Sequence, residues 1–296
     1  MKKTDFLYTI QNNKIIDIAT NKEIKDEKNI SRIKGLRIPP GYKNVRININ
    51  PNAKLQAYGY DKKGRKQFIY HKNFIETQQK NKFNMVVRLH NTFLQIEKEV
   101  KRNLKNPALD EKTKLISLII YLIIVCNFRI GNEKYRKEHK HYGLTTIEWK
   151  HVEIMKEKAI KIEFIGKKGV LNISVCSDPY VFNSFKNLKK NSKYSKTVFT
   201  YKTIDKTKNN ATEIKRISSK DVNDYLKNYH PEITAKSIRV WNANRLFVSY
   251  LVEEKSHKKA VERLAKSLHN TPAVCKSSYI HPELLQTNLS KIESKK

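Results

Sequence analysis

Glycine is the first shortage. The 296-residue chain has only 8. None falls in a G-x-x-x-x-G-K-[ST] or G-x-G-x-x-G pattern, which excludes the Gly-rich loops that cradle nucleotide phosphates. Cysteine is scarcer still. Cys126, Cys176 and Cys275 form no C-x-x-C pair and are odd in number, which argues against a disulfide framework and for a reducing, intracellular compartment. Long apolar runs are missing. LIIYLIIVC, at 118–126, falls far short of the roughly 20 residues a membrane span needs and reads as a buried helix. MKKTDFLYTIQNN at the start has no apolar core of signal-peptide length. Acid is the last deficit. Asp and Glu number 28 against 61 Lys and Arg, a formal net charge of +33. Such an excess calls for a polyanionic partner, nucleic acid first. A lysine-biased solvated surface is the plainer account of the charge, but arginines inside apolar segments weigh against it.

What is present divides in two. Up to about residue 77 the pattern is β: NVRININ alternates from Val45 to Ile49, and KLQAYGYDKKGRKQFIYH reads as strand, DKKG turn, strand. Beyond it, apolar residues recur at helical spacing over 83–104 and 115–128, and helices are expected again at 219–229, 235–254 and from His257. AIKIEFIGKKGVLNISV, at 159–175, is a hairpin around a GKKG turn. The polar stretch 193–216 reads as a flexible loop. The expected fold class is α+β: a small β-rich N-terminal domain (1–77) and a larger, mainly helical domain (78–296) containing a short antiparallel sheet.

Four stretches place basic or nucleophilic groups at unusual positions. In CNFRIGNEKY, Arg129 emerges from an apolar run, a place for an Arg that is paired, faces a ligand or caps a helix end. In EFIGKKGV a turn lifts Lys167 or Lys168 off a hairpin, where most lysines are simply solvated. In TAKSIRVWNANRLF, Lys236 and Arg239 are three apart and would share a helical face suited to phosphate, or to plain solvent. HNTPAVCKSSYIHP sets His269 and Asn270 ahead of Tyr279. His139 and His141 in EHKHYG lack the Cys or carboxylate companions of a metal site.

Together these stretches resemble the type IB DNA topoisomerases, in the small form of poxviruses, giant viruses and some bacteria. RIPPGYKNVRININPNAKLQAYGYDKKGRKQFIYH (37–71) is similar to the family's N-terminal DNA clamp. FRIGNEKY with YGLTTI (128–147), FIGKKG (164–169), AKSIRVW (235–241) and HNTPAVCKSSYIHP (269–282) are similar to its catalytic motifs, in the family's order. The resemblance implies that Tyr279 attacks a DNA phosphodiester, forming a 3′-phosphotyrosyl link and releasing a 5′-hydroxyl. It implies that Arg129 and Arg239 grip the phosphate oxygens and that Lys167 protonates the departing oxygen, with Lys168 as the fallback. One ester replaces another, so neither a nucleotide nor a metal or other cofactor is implied. The implied partner is double-stranded DNA, clamped by a monomer, with no membrane. Arg65, Gln67 and Tyr70 match DNA-facing positions, with Phe68 where some viral members have Tyr; Lys134, Tyr135 and Lys236 are further candidate contacts.

A tyrosine recombinase is the alternative, sharing the arginines, lysine and tyrosine. It usually carries His where Lys236 stands, and the short tail QTNLSKIESKK leaves little room for a subunit-exchange helix. A DNA-binding protein without activity would not need the full basic set. The remaining choice is the last oxygen donor. The family places it nine residues before the nucleophile, which selects Asn270, with His269 as the fallback. Neighbours on a helix point about 100° apart, so both would not reach one oxygen. In the opposing view Asn270 merely caps the segment before TP and His269 is the donor.

Overall fold

Alternation of apolar and polar residues builds the N-terminal sheet. In the computed structural model, which describes residues 5–190, 192–205 and 211–288, contacts divide the chain into residues 1–81 and 82–296. The first unit holds strands β1 (Tyr8–Gln11), β2 (Lys14–Asp17), β3 (Lys22–Glu23), β4 (Lys43–Ile47), β5 (Leu55–Tyr60) and β6 (Lys66–Tyr70). They form one sheet in the order β3-β2-β1-β4-β5-β6, with every pairing antiparallel. The unit has its own core of Ile15, Ile33, Val45, Ile47 and Ala57. Ile33 comes from α1 (Glu27–Gly35), a helix the sequence reading missed, started by Asp26 accepting from Lys28 N at 3.0 Å.

The boundary between the units falls within α2 (Lys72–Arg88). The helical stretch expected over 83–104 is broken at Leu89, giving α2 and α3 (His90–Asn103). Next come α4 (Glu111–Val125), α5 (Glu133–His139), β7 (Val152–Ile154), β8 (Ile160–Ile165), β9 (Leu171–Cys176) and α6 (Pro179–Lys189). The predicted hairpin is β8–β9, with β7 added beside β8. The loop expected over 193–216 is instead a second hairpin, β10 (Thr200–Asp205) paired with β11 (Ala211–Arg216). Its polar side chains concealed the strands, since backbone pairing asks little of an exposed side chain. Residues 206–210 lie outside the described residues.

The rest is α7 (Ser219–Lys227), α8 (Ala235–Glu254), α9 (His257–Ser267), α10 (Pro272–Ser278) and α11 (Pro282–Gln286). Buried faces of α3, α4, α8 and α9 share one large apolar core with Phe128, Phe185 and Phe199. α4 lies at its centre, buried from Leu115 to Ile124. No helix among the described residues is long and apolar enough to cross a membrane. Residues 289–296, most of the tail weighed against a recombinase, lie outside the described residues. The architecture is α+β.

Candidate active site

The end of α4 decides where Arg129 goes. The helix expected to reach residue 128 stops at Val125, because Asn127 turns the chain with φ +54°, a backbone that Asn tolerates better than most residues. Phe128 remains buried and Arg129 emerges half-buried. A close backbone crossing then fixes the segment. A Cβ on Gly143 would lie 2.4 Å from the Cα of Gly131, and Gly131 itself has φ +91°, so both positions require glycine. Leu144 N donates to Arg129 O at 3.0 Å and Thr145 N to Ile130 O at 2.8 Å. Tyr142 N donates to Ile165 O at 2.8 Å. Residues 142–145 thus tie the Arg129 segment to the end of β8, just before the GKKG turn.

α8 supplies the second arginine. Thr234 starts the helix, its hydroxyl accepting from Ser237 N at 3.2 Å. One turn later Arg239 is only 2% exposed. Its Nη1 donates to Asn127 O and its Nη2 to Leu268 O, and no carboxylate pairs with it among the described residues. Burial pulls the guanidinium down to about 10, which still leaves it charged at neutral pH. Asn242, fully buried, donates to Ile124 O at 2.7 Å and to Asn127 Oδ1 at 2.8 Å, so α8 also braces the turn that launches Arg129. Lys236 does not share the buried face of Arg239: it is exposed.

Tyr279 stands just past α10, whose start is capped by Thr271 and Pro272. The cap is therefore Thr271, not Asn270. Asn244 of α8 pins the tyrosine's backbone: Nδ2 donates to Tyr279 O at 2.8 Å, and Oδ1 accepts from His281 N at 2.7 Å. The Tyr279 ring is 9% exposed and its centroid lies 5.4 Å from the Arg239 guanidinium carbon. Burial works to raise the phenol, but Arg239, Arg129 and the nearby Asn270 amide together bring it below its ordinary value.

His269 and Asn270 occupy the turn between α9 and α10, not a helix, and His269 has φ +48°. They separate for that reason and not by a helical 100° step. Arg129 Nη2 donates to Asn270 Oδ1 at 2.6 Å, which turns the amide nitrogen toward Tyr279. That nitrogen favours the phenolate without completing a hydrogen bond, for it has no partner in the resting site. His269 stacks on Phe128, centroids 5.3 Å apart. Burial, then Arg239 and Arg129, lower it to about 4. Its Nε2 has no partner.

Arg129 Nη1, Arg239 Nε and Asn270 Nδ2 are buried donors with no partner. An unsatisfied buried donor costs about 1–3 kcal/mol. Three of them beside one phenol make a niche for an anion bearing several oxygens. The structure brings together Arg129, Arg239, Asn270 and Tyr279, with His269 behind them. It does not bring in Lys167, which stands exposed in the turn between β8 and β9. Lys168 beside it is also exposed, with φ +65°. Gly166 at the base of that turn packs on Asn172, whose amide nitrogen would lie 2.5 Å from a Cβ there.

The other candidates lie on exposed surfaces. On α5, Lys134 pairs loosely with Glu138 at 3.8 Å and Tyr135 is 47% exposed. In the N-terminal unit, Asp61 of the DKKG turn gathers Arg65 Nη2 at 2.6 Å and Gln67 Nε2 at 3.0 Å. Tyr70 lies with Phe68 and Lys66 on the other face of β6, its ring 5.4 Å from that of Phe74. Gln67 and Tyr70 therefore do not share a face. Sequence reasoning missed Asn242, Asn244 and Lys82, whose Nζ donates to Ser278 O at 2.8 Å. Polar residues inside the apolar run of α8 were the available signal for the two asparagines. Nothing marked Lys82 among 61 basic residues.

A buried phenol under two guanidiniums, with donors open toward an anion, is an arrangement suited to nucleophilic attack on a phosphoester. Comparison with known proteins narrows the class. The family described as eukaryotic DNA topoisomerase I, catalytic core, matches residues 71–296; the bacterial DNA topoisomerase IB, N-terminal domain, matches 18–61. The chain is 34% identical over 286 residues to DNA topoisomerase 1B of Acanthamoeba polyphaga mimivirus, across 90% of this chain and 83% of that one. It is 25% identical over 247 residues to DNA topoisomerase 1B of Vaccinia virus (strain Copenhagen), across 79% and 72%. The chain belongs to the type IB DNA topoisomerases. The recombinase alternative gains nothing from these matches.

Proposed function

We propose that this topoisomerase relaxes supercoiled duplex DNA by transient cleavage of one strand, with Tyr279 as nucleophile. The observation that carries the reading is the phenol held below its ordinary pKa beside three unpartnered buried donors. The phenolate attacks the phosphorus in line and becomes joined to the 3′-phosphate, and the 5′-oxygen departs. Arg129 Nη1 and Arg239 Nε take up the charge on the non-bridging oxygens, and Asn270 Nδ2 donates as well. These donors are in place before the reaction, so little reorganisation is needed when the charge develops. His269, held low by burial and the two arginines and stacked on Phe128, supports the site from behind, and Asn270 is the donor.

Lys167 is the general acid for the 5′-oxygen. Its exposure in the resting enzyme fits a hairpin that closes onto bound DNA, and the link from Ile165 through Tyr142 to the Arg129 segment gives that hairpin a fixed root. Religation is the same path in reverse, so the ester bond energy is retained and neither nucleotide nor metal takes part. A monomer acts as a clamp, with the N-terminal domain (1–77) on the duplex through Arg65, Gln67 and Tyr70, and the catalytic domain (78–296) adding Lys134, Tyr135 and Lys236. The place of action is wherever the DNA is, in the cell or in a viral compartment. Relaxation of supercoiled plasmid in EDTA without ATP tests the reading. Relaxed topoisomers are expected; an absolute need for ATP or magnesium would overturn it.

A further inference from the structure

Lys82 is a half-buried ammonium that the chemistry above leaves unused. It reaches from α2 to the carbonyl of Ser278, the residue immediately before Tyr279. Its Nζ also lies 4.0 Å from the centroid of the Phe83 ring, which meets His281 edge-on at 5.2 Å. The charged or titratable groups around this corner are Lys236 at the start of α8, Tyr279, His281, and Glu283 in the first turn of α11, which lines the cleft beside Phe83 with His281. Lys236 repels Lys82 through space. Neither lysine is paired with a carboxylate among the described residues.

Lys82 is held by a neutral carbonyl beside Tyr279 and feels the charge of Lys236; an anion taken up by both would turn that repulsion into attraction. Beside a nucleophile that attacks DNA, the anion at hand is a backbone phosphate. We propose that Lys82 and Lys236 jointly grip a DNA phosphate next to the scissile one, and that the grip is coupled to proton uptake by Lys82. The inference rests on the assignment of Tyr279 as nucleophile. It deepens that assignment by making one contact beside the nucleophile sensitive to pH. Burial, and then Lys236, hold Lys82 down at about 8, so near that pH half of the free molecules lack the charge. A bound phosphate restores it. Below pH 8 the ammonium is already present and affinity is flat. Above it each binding event must bring a proton, and affinity falls by up to about tenfold per pH unit. Arginine in place of Lys82 stays charged throughout.

The test is equilibrium binding of a short duplex to the full chain carrying Tyr279→Phe, which removes both cleavage and titration of the phenol. Affinity is measured from pH 7 to 9.5 and across a salt series, with Lys82 intact, Lys82→Arg and Lys82→Met. With Lys82 intact, affinity should fall above pH 8. Lys82→Arg should remove that fall. Lys82→Met should remove it too and should lower the slope of log affinity against log salt at pH 7 by up to about 0.9, the value of a whole phosphate contact, since Lys236 remains. Equal alkaline falls with Lys and Arg at 82, or an unchanged salt slope in Lys82→Met, would overturn the proposal. A control separates the two levels: covalent adduct formation by the unsubstituted protein at pH 7. Without an adduct the Tyr279 assignment itself fails. With an adduct and no Lys82 signature, only the present inference fails.

Discussion

Tyr279 owes its character to its neighbours. Burial alone would keep the phenol protonated, and the positive charge of Arg239 and Arg129 reverses that tendency. In the free enzyme its titration, followed by NMR of ring-labelled tyrosine and identified by its loss in Tyr279→Phe, should lie below the usual phenol value of about 10. Arg129→Ala should move it up, because a cation that favours the phenolate is removed; a downward move would mean that Arg129 does not act on the phenol. His269 titrates at about 4, so it is neutral above pH 5. Single-turnover cleavage between pH 5 and 9 should show no inflection near 6.5. Asn270→Ala should lose about 10²–10³ in rate, more than His269→Ala does. The reverse order, with an inflection near 6.5, would move the donor to His269. Lys167→Ala should slow cleavage by about 10²–10⁴, and a sulfur in the 5′-bridging position, a better leaving group, should restore the rate. If sulfur gives no rescue, Lys167 acts as a charge and not as an acid. These candidates stood out in the sequence because each sits in a short motif that resembles the family's. Spacing alone left the choice between His269 and Asn270 open, because the two side chains are oriented by a turn with a positive φ at His269 and not by a helix.

Elements carry Arg129, Arg239, Asn270 and Tyr279 to one place, leaving Lys167 on an exposed turn, and several of those placements were hidden in the sequence. The apolar run through Phe128 reads as one helix, yet α4 ends at Val125 because a buried residue in a turn shows the same periodicity as one in a helix. α1 went unread because its short span lies inside a β-patterned region. The hairpin β10–β11 went unread because its exposed strands alternate weakly. Asn244 is the clearest omission. From the same helix as Arg239, it holds the carbonyl of Tyr279 and the amide of His281. Asn244→Ala should cost about 1–3 kcal/mol of stability from two lost hydrogen bonds. It should also slow adduct formation at least about tenfold, since small displacements of a reacting group are costly. A normal cleavage rate in a folded variant would deny it a positioning role. Gly143→Ala tests the crossing under Arg129. Its Cβ would meet the backbone of Gly131 and Arg129, which cannot swing away as a side chain can. A loss of at least about 1–3 kcal/mol in thermal unfolding is expected, together with slower cleavage. Unchanged stability would show that the crossing is looser than the geometry implies.

Over the whole molecule the dominant fact is charge. An excess of 33 positive charges makes binding to duplex DNA an exchange with counterions, so log affinity should fall by roughly 0.9 per log unit of salt for every phosphate neutralised. Removing residues 1–71 should lower both affinity and slope, since the N-terminal strands carry Arg65, Gln67 and Tyr70. The cut belongs before α2, because Phe83, Met85 and Val86 of that helix are buried in the catalytic unit's core. An unchanged slope would place the whole basic footprint in the catalytic unit. The two-part α+β organisation was readable from the switch between alternating and helical periodicity, whereas the surface that meets DNA is not a matter of periodicity. The reaction itself turns on a single bond. Incubating the full chain with a duplex that loses its 5′-hydroxyl fragment on cleavage traps the covalent complex, and proteolysis followed by mass spectrometry identifies the attached residue and the DNA end. One adduct is expected, on the peptide containing Tyr279 and joined to a 3′-phosphate, and none with Tyr279→Phe; attachment at another residue, or to a 5′-phosphate, would overturn the assignment of Tyr279 as nucleophile.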